Sequence, residues 1–151
     1  MKIKTKEIAE AYQVLSNSRY TRLADADKIK LWRITRTMRP AAKQYLEDVN
    51  DAQKRFMPDE DYMTTVQNAR VYEQHVQAGR PTDIMTAEEY KDFIATYKNY
   101  VKTVDEAIRD LGDKEVEISV EPFDDETFSK LMASNEWTME QALCVGNILL
   151  Q

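Results

Sequence analysis

Apolar residues recur every three or four positions along most of the chain, which is the spacing of one helix face. The clearest series run through residues 8–15, 31–56, 62–76 and 90–111. These series predict four amphipathic helices, and the two longest, 31–56 and 90–111, are expected to pack as antiparallel partners. Pro40 lies inside the longest series. Because the apolar spacing keeps its phase across the proline, we predict a kinked helix and not a break.

The period changes to two near residue 116. In EVEISVEPF every second residue is apolar up to Val120, which predicts a strand within residues 115–121. A single strand is not stable in water, so KIK at 2–4 is expected to pair with it. The predicted fold class is therefore mainly α, in a single helical domain over residues 1–151. It contains two long antiparallel helices, shorter flanking helices and a minimal two-stranded β-sheet that joins the N-terminus to 115–121.

Polar residues and glycines mark the expected helix ends. TAEE at 86–89 and TMEQ at 138–141 have the form of a capping box, in which a threonine and an acidic or amide side chain satisfy free backbone groups. Thr5, and either Asp124 or Asp125, are placed to act as N-caps. Gly79 and Gly112 follow apolar series and predict two helix C-termini.

The C-terminal stretch ALCVGNILL is apolar on nearly every side of a helix. Such a helix is buried either in its own core or against a partner, and the sequence leaves both alternatives open. Gly146 would allow another backbone to approach closely. The candidate interface residues on this helix are Leu143, Val145, Gly146, Leu149 and Leu150.

Charge is distributed unevenly along the 151 residues. The net charge is −6, yet residues 1–43 carry 11 basic and 4 acidic residues, a net of +7. Residues 44–151 carry the remaining 10 basic and 23 acidic residues, a net of −13. A chain polarised in this way either binds an anion at its basic end or neutralises itself by folding the basic segment onto the acidic one.

The basic segment contains LWRITRTMRP at 31–40. With Leu31, Ile34 and Met38 expected on the buried face, Arg33, Arg36 and Arg39 are expected on the outer side. Guanidinium groups bind phosphate through two parallel hydrogen bonds, and Trp32, four residues before Arg36, could add a stacking plane. The four residues Trp32, Arg33, Arg36 and Arg39 therefore form a candidate binding site for an anion. The alternative is a solvated face whose arginines pair with carboxylates.

The sequence contains no pattern that predicts catalysis. His75 is the only histidine, and Cys144, the only cysteine, lies in an apolar helix, as a packing residue does. The acidic clusters PDED and DDE lack the ligand alternation and glycine of a calcium loop, and their positions are explained by helix N-termini. We therefore expect no metal, no cofactor and no enzymatic activity. The acidic net charge and the lack of a nucleic-acid-binding module pattern argue against nucleic acid as a partner.

Cellular location is predicted from what the chain lacks. A single cysteine fits a reducing compartment. The start of the chain has no apolar signal region. No apolar run approaches the length of a membrane span, so no membrane contact is expected. The prediction is a cytoplasmic protein.

The order of elements resembles that of small helical proteins encoded by tailed bacteriophages and prophages. The resemblance is one of layout. The shared order is KIK, the long mixed-charge helix KIKLWRITRTMRPAAKQYLEDVNDAQKRF, a second long amphipathic helix and the strand EVEISVEPF. It covers residues 1–6, 20–57 and 90–130, and the chain departs from it at 60–78 and in the apolar C-terminal helix. No functional residue is carried over.

The resemblance implies a phage gene product in the cytoplasm of a bacterial host, or in the virion. The leading hypothesis is a non-enzymatic protein-interaction module that acts through its apolar C-terminal helix and its polarised charged faces. It binds a protein partner or a second copy of itself as a homo-oligomer. Two alternatives are a binder that sequesters an anionic nucleotide used in host defence, and a minor structural component of the virion.

Overall fold

The computed structural model describes residues 1–150, which form eight elements. In chain order these are β1 (Lys2–Lys4), α1 (Thr5–Ser16), α2 (Asp25–Arg55), α3 (Tyr62–Gln77), α4 (Ala87–Gly112), β2 (Glu115–Glu117), α5 (Asp125–Ala133) and α6 (Met139–Leu149). The predicted fold class is confirmed: the protein is mainly helical, with two long helices and one small sheet.

The sheet contains the predicted pairing of the two strands. β1 and β2 are antiparallel, with Ile3 opposite Val116 at the centre of the register. Ile3 is buried, whereas the lysines on either side of it are exposed. β2 is shorter than the predicted 115–121, although the next residue, Ile118, still donates its backbone N–H to the Met1 carbonyl at 2.9 Å.

The two long helices contact one another in antiparallel order. The backbone of Gly112 in α4 lies against the side chain of Tyr45 in α2. Further along, the Tyr100 hydroxyl of α4 donates to the Gln53 carbonyl of α2 at 2.7 Å. The residue number rises along one helix as it falls along the other, as predicted.

α2 continues through Pro40 without interruption. Proline removes one backbone hydrogen bond from a helix interior. The cost is tolerated here because Pro40 is exposed, so water can reach the carbonyl that loses its donor. The prediction that the helix does not break at this point is confirmed. Leu31, Ile34, Met38 and Ala42 remain on one buried face on both sides of the proline.

Most of the predicted helix ends are confirmed. Asp124 Oδ1 accepts the Thr127 N–H at 2.7 Å, and Thr138 with Gln141 forms the complete capping box. Gly79 has a φ of 66°, which suits a residue without a side chain at the end of α3. The Thr5 prediction is wrong: Lys4 occupies the N-cap position, and the Thr5 hydroxyl instead donates to the Leu111 carbonyl at 2.6 Å.

The chain divides into two compact units, Met1–Val49 with Arg109–Gln151, and Asn50–Ile108. Both α2 and α4 extend from one unit into the other, so the prediction of one domain stays a prediction. In the first unit, the inner face of α6 packs with α1, α2 and α5. The core residues that these helices share include Ile8, Met38, Phe128, Leu131, Val145, Ile148 and Leu149.

The second unit is built around aromatic rings. Tyr62, Phe93 and Tyr97 belong to a series of tilted ring contacts with centroids 4.8–6.4 Å apart. The Tyr90 hydroxyl also donates to the Glu73 carboxylate. Tyr62 is buried and Phe93 half-buried, so contacts between aromatic rings contribute to the packing of this unit.

Two leucines of α6 provide a test of this fold. Leu149 is 0% exposed and Leu143 is 59% exposed, although both lie on the same helix. We expect Leu149→Ala to lower the free energy of unfolding by about 2–5 kcal/mol, because it leaves a cavity in the core. Leu143→Ala is the matched control and should change it by less than about 0.5 kcal/mol. Urea denaturation followed by circular dichroism measures both; equal losses would contradict the described packing.

Candidate interaction surface

Outside its buried face, α2 presents a regular stripe of residues. The spacing between them is three, four, three, four and three, so they repeat as the core positions of a heptad do. We call this stripe the outer seam, and its members are Ile29, Trp32, Arg36, Arg39, Lys43 and Leu46. All six side chains are exposed.

The apolar members of the outer seam stand at its two ends. Ile29 is 53% exposed, Trp32 57% and Leu46 55%. Single exposed apolar residues are ordinary on a protein surface, but three aligned on one helix stripe form a pattern that is typical of contact surfaces.

The charged members occupy the middle of the outer seam. The Arg36 guanidinium lies over the Trp32 ring, with its central carbon 5.2 Å from the ring centroid. One face of the Trp32 ring is therefore covered by Arg36 of the same helix, and the stacking of a ligand on this ring stays a prediction. The contact is a cation–π interaction, which also holds the arginine in a defined position.

The cations of the outer seam are not neutralised by ion pairs. Several lysines elsewhere are paired, such as Lys4 with Asp113 at 2.8 Å and Lys30 with Glu121 at 3.5 Å. In contrast, no carboxylate of residues 1–150 lies within 4.0 Å of a nitrogen of Arg36, Arg39 or Lys43. Within residues 1–150, the three cations of the seam are therefore free of ion pairs.

Part of the predicted anion site forms a cleft. A depression of about 280 Å³ is lined by Tyr12, Trp32, Thr35, Arg36 and Arg39. Tyr12 comes from α1, so the cleft has an aromatic side chain on each of two helices. Three of the four predicted site residues, Trp32, Arg36 and Arg39, lie together here.

Arg33 does not belong with the other three. It lines a separate cleft of about 460 Å³ with Lys30, Asp27, Ser119 and Glu121. The helical turn explains the difference, because residue 33 is rotated by about 100° from residue 32. This second cleft contains charges of both signs and lacks an aromatic wall. Arg33 therefore lies apart from the other three predicted residues, and the anion site itself stays a prediction.

The predicted interface residues of α6 divide between two faces. Val145 and Leu149 are fully buried, so their assignment to an interface is corrected: they belong to the core of the first unit. Gly146 is also corrected. A Cβ atom built at this position would lie 3.4 Å from Phe128, so the close approach at Gly146 is made by a side chain of the same protein. Leu143 and Leu150 do face solvent, in line with Met139.

A third cleft, of about 570 Å³, lies beside α1 and α6. Trp137 is part of its wall, and its indole Nε1–H donates to Ser18 Oγ at 2.9 Å. Cys144 also lines this cleft. Burial, followed by the nearby Glu10, Glu7 and Glu140 carboxylates, raises the pKa of the Cys144 thiol to about 11. The thiol therefore remains protonated at neutral pH, which is unsuited to nucleophilic catalysis.

Within residues 1–150, no three histidine, cysteine or carboxylate side chains are grouped as metal ligands would be. None of the helices in that range has the length and apolar character needed to cross a bilayer. His75 is half-buried, and its Nδ1 has no hydrogen-bond partner among those residues.

Comparison with known proteins identifies no relative, so the function is inferred from the protein's own surface. The chain matches no protein-family model, no curated protein and no solved structure.

The state of Cys144 can be measured directly. Because its pKa is raised to about 11, the reaction of the native protein with a disulfide reagent at pH 8 should be on the order of 100-fold slower than that of an ordinary thiol. The rate should increase as the pH rises towards the pKa. The urea-unfolded protein is the control and should react at the ordinary rate. Rapid reaction of the folded protein would contradict the described environment.

Proposed function

We propose that this protein is a non-enzymatic protein-interaction module and that the outer seam of α2 is its contact surface. The observation that supports this most directly is the exposed Trp32 with Arg36 stacked on its ring. Tryptophan and arginine are the residues most enriched where binding energy is concentrated in protein interfaces. A tryptophan already positioned by an arginine loses little side-chain freedom when a partner covers it.

The solvent side of α6 is a secondary part of the proposal. Met139, Leu143 and Leu150 form a short exposed stripe there. The stripe has no cation and no aromatic ring, so it provides less specificity than the outer seam. We therefore assign the main contact to α2.

The resemblance in layout to bacteriophage proteins supports the cellular part of the proposal. The module would be phage-encoded and would act in the bacterial cytoplasm on a host or phage protein. Assembly into the virion, as a minor structural component, is an alternative with the same contact chemistry. Mass spectrometry of purified particles distinguishes the two.

A second candidate function is the binding of an anionic nucleotide. It is favoured by the cleft in which Arg36 and Arg39 lie beside Trp32 and Tyr12. A base could stack on the rings while a phosphate pairs with the guanidiniums. Neither guanidinium forms an ion pair with a carboxylate of residues 1–150. Sequestering such a ligand would counter a host defence that uses it as a signal.

Photo-crosslinking tests the protein-interaction function. A benzoylphenylalanine at position 32 should crosslink to a discrete protein in cells. Thr37 is exposed on the same helix but lies outside the outer seam, so the same probe at position 37 is the matched control and should give no such product. Excess unmodified protein should compete for the partner and so reduce the yield of the crosslink at position 32. Equal yields at the two positions would reject the outer seam as the contact surface.

Thermal unfolding in the presence of nucleotides tests the second candidate. A nucleotide at about 100 times its Kd should raise the Tm by roughly 5–10 °C, because only the folded protein binds it. Arg36→Glu should abolish that increase while leaving the Tm of the free protein nearly unchanged, since Arg36 is exposed and unpaired. If mono-, di- and cyclic nucleotides at millimolar concentration leave the Tm unchanged, the nucleotide function is rejected.

A further inference from the structure

The outer seam has a fixed order of chemistry along its length. Ile29 and Trp32 stand at one end, the three cations follow, and Leu46 stands at the other end. Eighteen residues of helix span about 27 Å. A small ligand in the cleft at Trp32 would contact only three of the six seam residues, so a partner that contacts the full seam must be extended.

The spacing of the outer seam indicates that the partner is a helix. Residues that alternate at three and four positions remain in line with the residues of a second helix packed alongside, as in a coiled coil. α2 is continuous over the whole stripe, including Pro40. A partner helix of similar length would contact all six positions in one register.

The charge of the outer seam indicates that the partner is acidic. Covering Arg36, Arg39 and Lys43 removes water from three charges, and this is unfavourable unless the partner supplies opposite charges. No carboxylate of residues 1–150 is placed to do so within 4.0 Å. Carboxylates on the partner would pair with these groups, and arginine can bind a carboxylate through two parallel hydrogen bonds.

The same charges argue against the packing of two outer seams, from two copies of this chain, against each other. In a parallel pair of α2 helices each cation would face its own counterpart. In an antiparallel pair centred on the seam, Arg36 would face Arg39 of the second copy, and Lys43 would face Trp32. Like charges at facing positions are unfavourable in both arrangements.

We propose that the outer seam binds an acidic amphipathic helix of another protein. The apolar residues of that helix contact the ends of the seam, and its central carboxylates pair with Arg36, Arg39 and Lys43. This inference rests on the proposed protein-interaction function and specifies the chemistry of the partner.

Synthetic helical peptides test the assignment. Each peptide contains about four heptads. Leucine occupies the core positions that face the apolar ends of the outer seam, and a single residue type occupies the three core positions that face its cations. The three peptides carry Glu, Gln or Lys there, and binding to the intact protein is measured by fluorescence anisotropy. We expect the Glu peptide to bind at least 10-fold more tightly than the Gln peptide, the Lys peptide not to bind, and the affinity of the Glu peptide to fall as salt is raised.

Charge reversal on the protein provides the matched comparison. The double variant Arg36→Glu/Arg39→Glu should no longer bind the Glu peptide and should bind the Lys peptide instead. Arg33→Glu changes the net charge in the same direction, but its position lies in the neighbouring cleft, so it should retain the preference for the Glu peptide. Thermal unfolding of each variant checks that the fold is unchanged.

Four results would overturn the inference. These are failure of the Glu peptide to bind, equal binding of the Glu and Lys peptides, an equal effect of Arg33→Glu and the double variant, and a homodimer in sedimentation that Trp32→Ala dissociates. A protein crosslinked specifically at position 32, together with failure of every peptide, would reject the acidic helix and retain the protein-interaction function. Loss of the specific crosslink would reject both.

Discussion

Burial of the inner face of α6 is the interaction on which the first unit depends. Val145, Ile148 and Leu149 are at most 1% exposed and lie in one core with residues of α1 and α2. Each such side chain contributes about 1.5–3 kcal/mol through removal of apolar surface from water. The backbone takes part as well, because the Phe123 N–H donates to the Leu149 carbonyl at 2.8 Å and so fixes the connection between β2 and α5.

α2 connects this core to the proposed contact surface. Its inner residues are held in the core, and this sets the rotation of the helix about its axis. The outer seam is therefore presented in a fixed direction. The stacking of Arg36 on Trp32 further restricts the conformations of these two side chains. Because Pro40 is tolerated within a continuous helix, the seam keeps one phase from Ile29 to Leu46.

The parts of the fold that depend on local chemistry could be predicted from the sequence. The cap at Asp124 and the capping box at Thr138 follow from side chains that reach backbone groups three residues away. The strand pairing followed from the alternation in EVEIS and the need for a second strand. The N-cap at Thr5 was mispredicted because its hydroxyl is engaged by α4, a distant segment that no local pattern reveals.

The candidate surface was predicted only in part, for a geometric reason. A helix that is apolar on nearly every side, such as α6, does not reveal which face is covered, and Val145 and Leu149 proved to be core residues. On α2 the arginines were grouped by composition, whereas position on the helix separates Arg33 from Arg36. Ile29 and Leu46 were missed, although counting in steps of three and four from Trp32 on the outer side would have found them.

The division of the chain has a consequence for the order of folding. Asn50–Ile108 is a contiguous segment, whereas the other unit joins residues before 50 to residues after 108. During synthesis the middle segment is complete before β2 and α6 have left the ribosome. At that stage the apolar face of α1, which includes Ile8, still lacks its contacts with α6, more than 100 residues further along the chain. Such long-range contacts form slowly. A nascent chain paused before α6 would therefore leave this face without its α6 contacts.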